Sequence, residues 1–102
     1  MAIAAIIFHS LALREVTLAI QWYRKRSRQT ARRFADAVDR AVERIANTPA
    51  GWPVCHGQYR WVRTRVFPYV LYYRILDPHR VLIIAVAHGR RRAGYWLRRW
   101  RP

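Results

Sequence analysis

His88-Gly89-Arg90-Arg91-Arg92 concentrates more reactive and anion-binding groups than any other segment of the chain. A glycine lets the backbone approach a ligand closely, and adjacent guanidinium forks can converge on one phosphate or carboxylate. Histidine is the side chain best suited to move a proton near neutral pH, which makes His88 a candidate; no Ser, Cys or acid is placed by the sequence to orient it, which leaves a structural role as the competing reading. A second group alternates along two segments. Trp61, Arg63 and Arg65 fall on every second position, as do Val70, Tyr72 and Arg74. On paired strands these six side chains share one face, with Val62, Thr64, Val66, Leu71, Tyr73 and Ile75 on the other, core-facing one. Guanidinium groups grip phosphates and flat rings accept unpaired bases, so the mixture fits single-stranded RNA or an acidic protein segment better than the grooves of a duplex. A sheet face meeting only water more often mixes lysine, glutamate and threonine.

Other chemistries are poorly supported. His9, His56 and His79 lack ligand spacing, and Cys55 stands in a Pro/Gly loop with no second cysteine, so no metal, disulfide or catalytic thiol is expected. Paired carboxylates for acid/base work and a phosphate-binding P-loop are both missing, and no cofactor is expected. The lone cysteine points to a reducing compartment, with the cytoplasm as the expected address. The longest apolar runs, Met1 to Phe8 and Val81 to Ala87, fall short of the roughly 20 residues that span a bilayer, and no signal-peptide pattern precedes them, so no membrane partner is expected.

The 102 residues hold 20 Lys+Arg against 5 Asp+Glu, a formal charge of +15 that the chain cannot neutralise internally, and a polyanionic partner follows. With 53% hydrophobic residues the chain can still offset its ordering entropy, and one domain, residues 1–102, is expected. The charge is uneven. Residues 1–58 carry nine basic and four acidic side chains, whereas residues 59–102 carry eleven and one, so the second half holds the anion-facing chemistry.

These residues need elements to position them. The isoleucine-rich start predicts a buried strand over 1–9. Leu13, Val16, Ile20 and Tyr23 recur at helical spacing after Ser10, a predicted N-cap, and Ala31, Phe34, Val38, Ala41, Val42 and Ile45 form a cleaner stripe, giving a helical hairpin over 10–47. Arg32, Asp36, Arg40 and Glu43 fall at three- and four-residue spacings that allow local neutralisation on the outer face. Thr48 to Gly57 reads as loop. Residues 59–88 predict antiparallel strands at Tyr59–Val66, Tyr69–Ile75 and Val81–Ala87, with a turn at Asp77–Arg80. Residues 89–102 form a basic, aromatic tail, either a short amphipathic element or a mobile terminus. The fold class is α+β.

The order of strand, helical hairpin and three strands, with Phe67-Pro68-Tyr69-Val70-Leu71-Tyr72-Tyr73-Arg74-Ile75 and Val86-Ala87-His88-Gly89-Arg90-Arg91-Arg92 followed by Tyr95-Trp96, resembles the RelE/ParE superfamily of bacterial type II toxins. The resemblance runs from about Ile6 to Trp96. It implies helices packed on one face of a twisted antiparallel sheet, and a growth-inhibiting toxin neutralised by a cognate, acidic antitoxin in a hetero-oligomer. RelE-like members cut messenger RNA on the ribosome without a metal. Their pattern places Arg63 and Arg65 as the second-strand cations, Arg91 after the last strand and Tyr95 as the C-terminal tyrosine, with His88 as a further candidate; Val70 stands where a third-strand arginine belongs. ParE-like members act on DNA gyrase and are not nucleases, and the Phe-Pro-Tyr and His-Gly-Arg-Arg segments look closer to that branch. Under either branch Trp61, Arg63, Arg65, Tyr72, Arg74, Arg90, Arg91 and Arg92 are the expected target-binding set. A small RNA-binding module without toxicity is the alternative of a different class.

Overall fold

The computed structural model describes residues 3–100, so the ends of the expected strand 1–9 and tail 89–102 at residues 1, 2, 101 and 102 lie outside the described residues. Two α-helices and five strands follow in order among the described residues: β1 (Ala5–Phe8), α1 (Ser10–Arg24), α2 (Arg28–Asn47), β2 (Val54–His56), β3 (Tyr59–Arg63), β4 (Tyr69–Asp77) and β5 (Arg80–His88). They build a five-stranded sheet in the order β1-β5-β4-β3-β2. β1 runs parallel to β5, and the remaining pairs are antiparallel. The expected three-strand meander is β3–β5, widened by β2, a three-residue edge strand inside the segment expected to be loop. Its burial is too slight to leave an apolar signal, since all three residues are exposed.

His9, not Ser10, caps α1. Its backbone is extended and its Nδ1 accepts the Leu11 N–H at 3.0 Å, whereas Ser10 already lies in the first turn. Ser27 separates the helices, its Oγ accepting from Thr30 N at 3.1 Å. Ala31, Phe34, Val38, Ala41 and Ile45 are all buried along α2, as the stripe predicts. Ala12, Ala41 and Ile45 meet Val62, Leu71, Tyr73, Val81, Ile83 and Val86 in the main core, each large side chain contributing about 1.5–3 kcal/mol of apolar transfer. The Tyr73 hydroxyl, its pKa pushed up to about 12 by burial, donates to the Pro49 carbonyl and ties the chain after α2 to the sheet.

Strand alternation holds for most of β3 and β4. Val62, Leu71, Tyr73 and Ile75 face the helices, and Trp61 pairs with Tyr72 and Arg63 with Val70 on the opposite face. It fails beyond Arg63. β3 ends there, and Thr64 turns back to donate its hydroxyl to the Phe67 and Tyr69 carbonyls. Val66, expected in the core, is 99% exposed with φ at 74°. A β-branched residue in this left-handed region carries roughly 1–3 kcal/mol of strain.

The predicted ion pairs on α2 do not form. Among the described residues, carboxylates close ion pairs with arginine at Asp77–Arg80 and Glu15–Arg99 alone. Long exposed side chains lose rotamer freedom on pairing and gain little in water, which accounts for the open arginines of α2.

Candidate functional site

The C-terminal tail determines which faces are open. Gly94 turns the chain at φ 73°, where an added Cβ would lie 2.9 Å from Leu97 Cδ1. The tail then crosses the sheet face opposite the helices. Trp96 is 2% exposed, stacking on Tyr72 with ring centroids 4.6 Å apart and meeting Tyr59 edge-on at 4.8 Å. The Arg74 guanidinium lies 5.1 Å from the Trp100 ring. The sequence leaves this face open for bases and the tail as a possible mobile terminus; the tail's own aromatics instead cover Tyr72 and Arg74, because uncovered rings on a sheet bury more apolar area against a tryptophan than against water.

The tail is fastened to α1. Glu15 accepts from Arg99 at both oxygens, 2.8 Å at Oε1 and 2.9 Å at Oε2, from the Tyr95 hydroxyl, and from the Val86 N–H at 3.0 Å. Arg99 also donates to the Ile84 carbonyl at 3.1 Å. β1 stops pairing with β5 at Ile83, so these two side chains satisfy the backbone groups of β5 that no strand reaches. Burial tends to raise the Glu15 pKa, but the hydrogen bonds from Arg99, Tyr95 and Val86 outweigh it and hold the carboxyl below its ordinary value. Burial and the Glu15 carboxylate push the Tyr95 hydroxyl far above the ordinary tyrosine range.

Beside this clamp, α1, the β4 entry and the β5 exit enclose a cleft of about 410 Å³, lined by Trp22, Tyr69, His88, Arg91 and Tyr95 with Glu15 at its base. The Arg91 guanidinium lies 3.9 Å from the centre of the Tyr95 ring. His88 meets Tyr69 edge-on, centroids 5.2 Å apart, and its Nδ1 accepts the Arg90 N–H at 3.1 Å. Leu11, Leu18 and Trp22 extend the cleft along α1 as an exposed apolar stripe, with Trp22 52% exposed and the Arg26 guanidinium 3.5 Å above its ring.

The predicted residues therefore divide into three places. His88, Arg91 and Tyr95 gather at the α1 cleft, with Arg90 and Arg92 exposed on the adjoining turn. Trp61, Arg63, Tyr72 and Arg74 belong to the tail-covered face, where Arg63 stays exposed and Tyr72 is half-buried under Trp96. Arg65 leaves both groups: beyond the end of β3 it lies beside α2 with Arg33, Arg40 and Arg44. Sequence reasoning missed Glu15, Trp22, Tyr69 and Arg99. Glu15 carries a usable signal, being the first acid of a strongly basic chain and set within an apolar helix; the others need the fold. Among the described residues no three His, Cys, Asp or Glu side chains gather as metal ligands, and no helix is long and apolar enough to cross a membrane.

A helical hairpin on one face of a five-stranded sheet, followed by a basic turn and a folded-back tail, defines a small α+β fold. A solved chain of the chromosomal ParDE TA system from P. aeruginosa shares this fold with a TM-score of 0.67, over 84% of this chain and 96% of that one, at 16% identity. No curated protein matches the chain. Residues 6–93 match the family described as ParE toxin of type II toxin-antitoxin system, parDE, and the chain belongs to that family.

Proposed function

We propose that this ParE-family chain arrests growth by acting on DNA gyrase, that it does not cleave RNA, and that an acidic antitoxin neutralises it. One observation carries the choice against RNA cleavage: the RelE-like set is dispersed. Attack of a 2′-hydroxyl on its phosphate needs proton transfer and cations around one developing oxyanion. Here Arg63 lies on the tail-covered face, Arg65 beside α2, and Arg91 and Tyr95 at the α1 cleft, while Val70 supplies no cation between them. Tyr95 is bound to Glu15 and held protonated, and Arg91 lies over its ring. For the antitoxin, the stripe of Leu11, Leu18 and Trp22 supplies the apolar anchors a protein interface requires, and Arg91 at the cleft and the exposed Arg14, one helical turn from Leu11 and Leu18 on α1, suit acidic flanks.

Two assays run together test this. Purified gyrase supercoils relaxed plasmid alone and fails to do so when the protein is added; translating ribosomes with the protein yield intact message. Unchanged supercoiling with cut message would establish the nuclease instead, and a chain that does neither and leaves growth unaffected would be a plain binding module.

A further inference from the structure

We propose that a second cleft, between α2 and the β3–β4 connection, binds the phosphodiester backbone of a nucleic acid. The cleft holds about 510 Å³ and presents Arg33, Arg40, Arg44 and Arg65 around an apolar floor of Ala37 and Phe67. Its one carboxylate, Asp36, closes no ion pair with any of them. The arginines come from separate parts of the chain: three recur on one face of α2, and the fourth arrives because β3 ends at Arg63 and the connection folds against the helix.

Arg44 is fixed in place. Its Nη2 donates to the Arg63 carbonyl at 3.1 Å, its Nε to the Arg40 carbonyl at 3.4 Å, and its guanidinium lies 5.7 Å from the Trp52 ring. Burial lowers its pKa, and the facing Arg65 lowers it further. The fold thus holds like charges together with no carboxylate paired to them, an arrangement that an anion relieves. The exposed Val66, strained at φ 74°, stands at the lip beside Arg65.

Length and composition select the ligand. From Arg33 to Arg44 the helix rises roughly 16 Å, and each strand of a duplex carries one phosphate per about 3.4 Å of helix axis, so a row aligned with that axis spans roughly five base pairs. A protein partner needs a buried apolar or aromatic anchor, and exposed side chains of that kind cluster on α1, with Ile7 on β1 and Val54 on β2; at this cleft Val66 is the large apolar side chain left in solvent. Guanidinium groups without an exposed aromatic side chain beside them fit contacts that grip a backbone irrespective of sequence.

The test is fluorescence anisotropy of a labelled duplex of about 20 base pairs, titrated over a series of salt concentrations, beside a labelled oligoglutamate peptide. The variant R33Q/R40Q/R65Q keeps Arg44 and its structural bonds; R24Q/R28Q/R32Q removes the same charge from the flank formed by the end of α1 and the start of α2, outside the cleft. Circular dichroism melting of both variants checks that each folds. The cleft variant should bind duplex about tenfold or more weakly and lose about 2.7 from the slope of log affinity against log salt, while the flank variant retains most of both. Equal losses in the two variants would reduce the effect to net charge and overturn the site, as would absence of duplex binding by the unaltered protein at low salt. Loss of oligoglutamate binding with duplex affinity intact would also overturn it, assigning the cleft to an acidic protein.

Discussion

Arg99 reaches back 84 residues to grip Glu15 with both terminal nitrogens, at 2.8 and 2.9 Å. Side-chain exposure of 13% and 14% places the pair largely out of water, where a bidentate fork is worth more than on a surface and where losing one partner strands the other. The clamp joins the first helix to the last described turn through the unpaired end of β5.

Acid should weaken the fold through this pair. Glu15 ionises more readily folded than unfolded, so its stabilisation is complete above the ordinary value of 4.5 and is lost as pH falls below it toward the lowered folded value. Urea midpoints measured from pH 7 to pH 3 should fall across that interval. Glu15→Gln should cost about 3 kcal/mol at pH 7 and flatten the acid limb.

Trp96 should rank among the costliest side chains to truncate. Trp96→Ala opens a cavity over Tyr59 and Tyr72 and should remove about 3–5 kcal/mol in chemical denaturation. Its indole N–H is buried without a partner, so Trp96→Phe sheds that penalty along with some volume and should cost less than half as much.

Val66 offers the opposite sign. The side chain packs against nothing while its backbone sits in the left-handed region, so Val66→Gly relieves strain and loses no burial. After the extra chain entropy of glycine is subtracted, a gain of about 1 kcal/mol should appear as a rise of roughly 4 °C or more in the melting temperature.

Tyr95 and Arg91 separate structure from activity at the α1 cleft. Tyr95→Phe removes one hydrogen bond to Glu15 and should cost about 1 kcal/mol in denaturation while leaving growth arrest on induced expression intact, since the proposed mechanism uses no proton from it. Arg91→Ala should keep the fold and abolish growth arrest. Arrest that survives Arg91→Ala and disappears with Tyr95→Phe would point to proton transfer at Tyr95.

Periodicity made the helices legible, because Ala31 through Ile45 bury one face and little else constrains α2. The same two-residue rhythm located Val62, Leu71 and Tyr73 in the core. It misled at Arg65 and Val66, where the letters continue to alternate after the backbone has left the sheet; Thr64 redirects the chain through hydroxyl bonds that alternation cannot reveal. It also left Tyr72 and Arg74 uncovered, since nothing in a run such as Tyr95-Trp96-Leu97-Arg98-Arg99-Trp100 states which surface it will lie on. Glu15 supplies that information only once Val86 and Ile84 are seen to need partners at the end of β1.

The short reach of β1 has a cost for solubility. Past Ile83, β5 would offer a bare row of amide and carbonyl groups on an apolar strand, the template on which copies of a chain add to one another. Glu15 and Arg99 occupy that row, so trimming the tail by a protease would do more than loosen the end: it would bare a strand edge on which copies of the chain can stack.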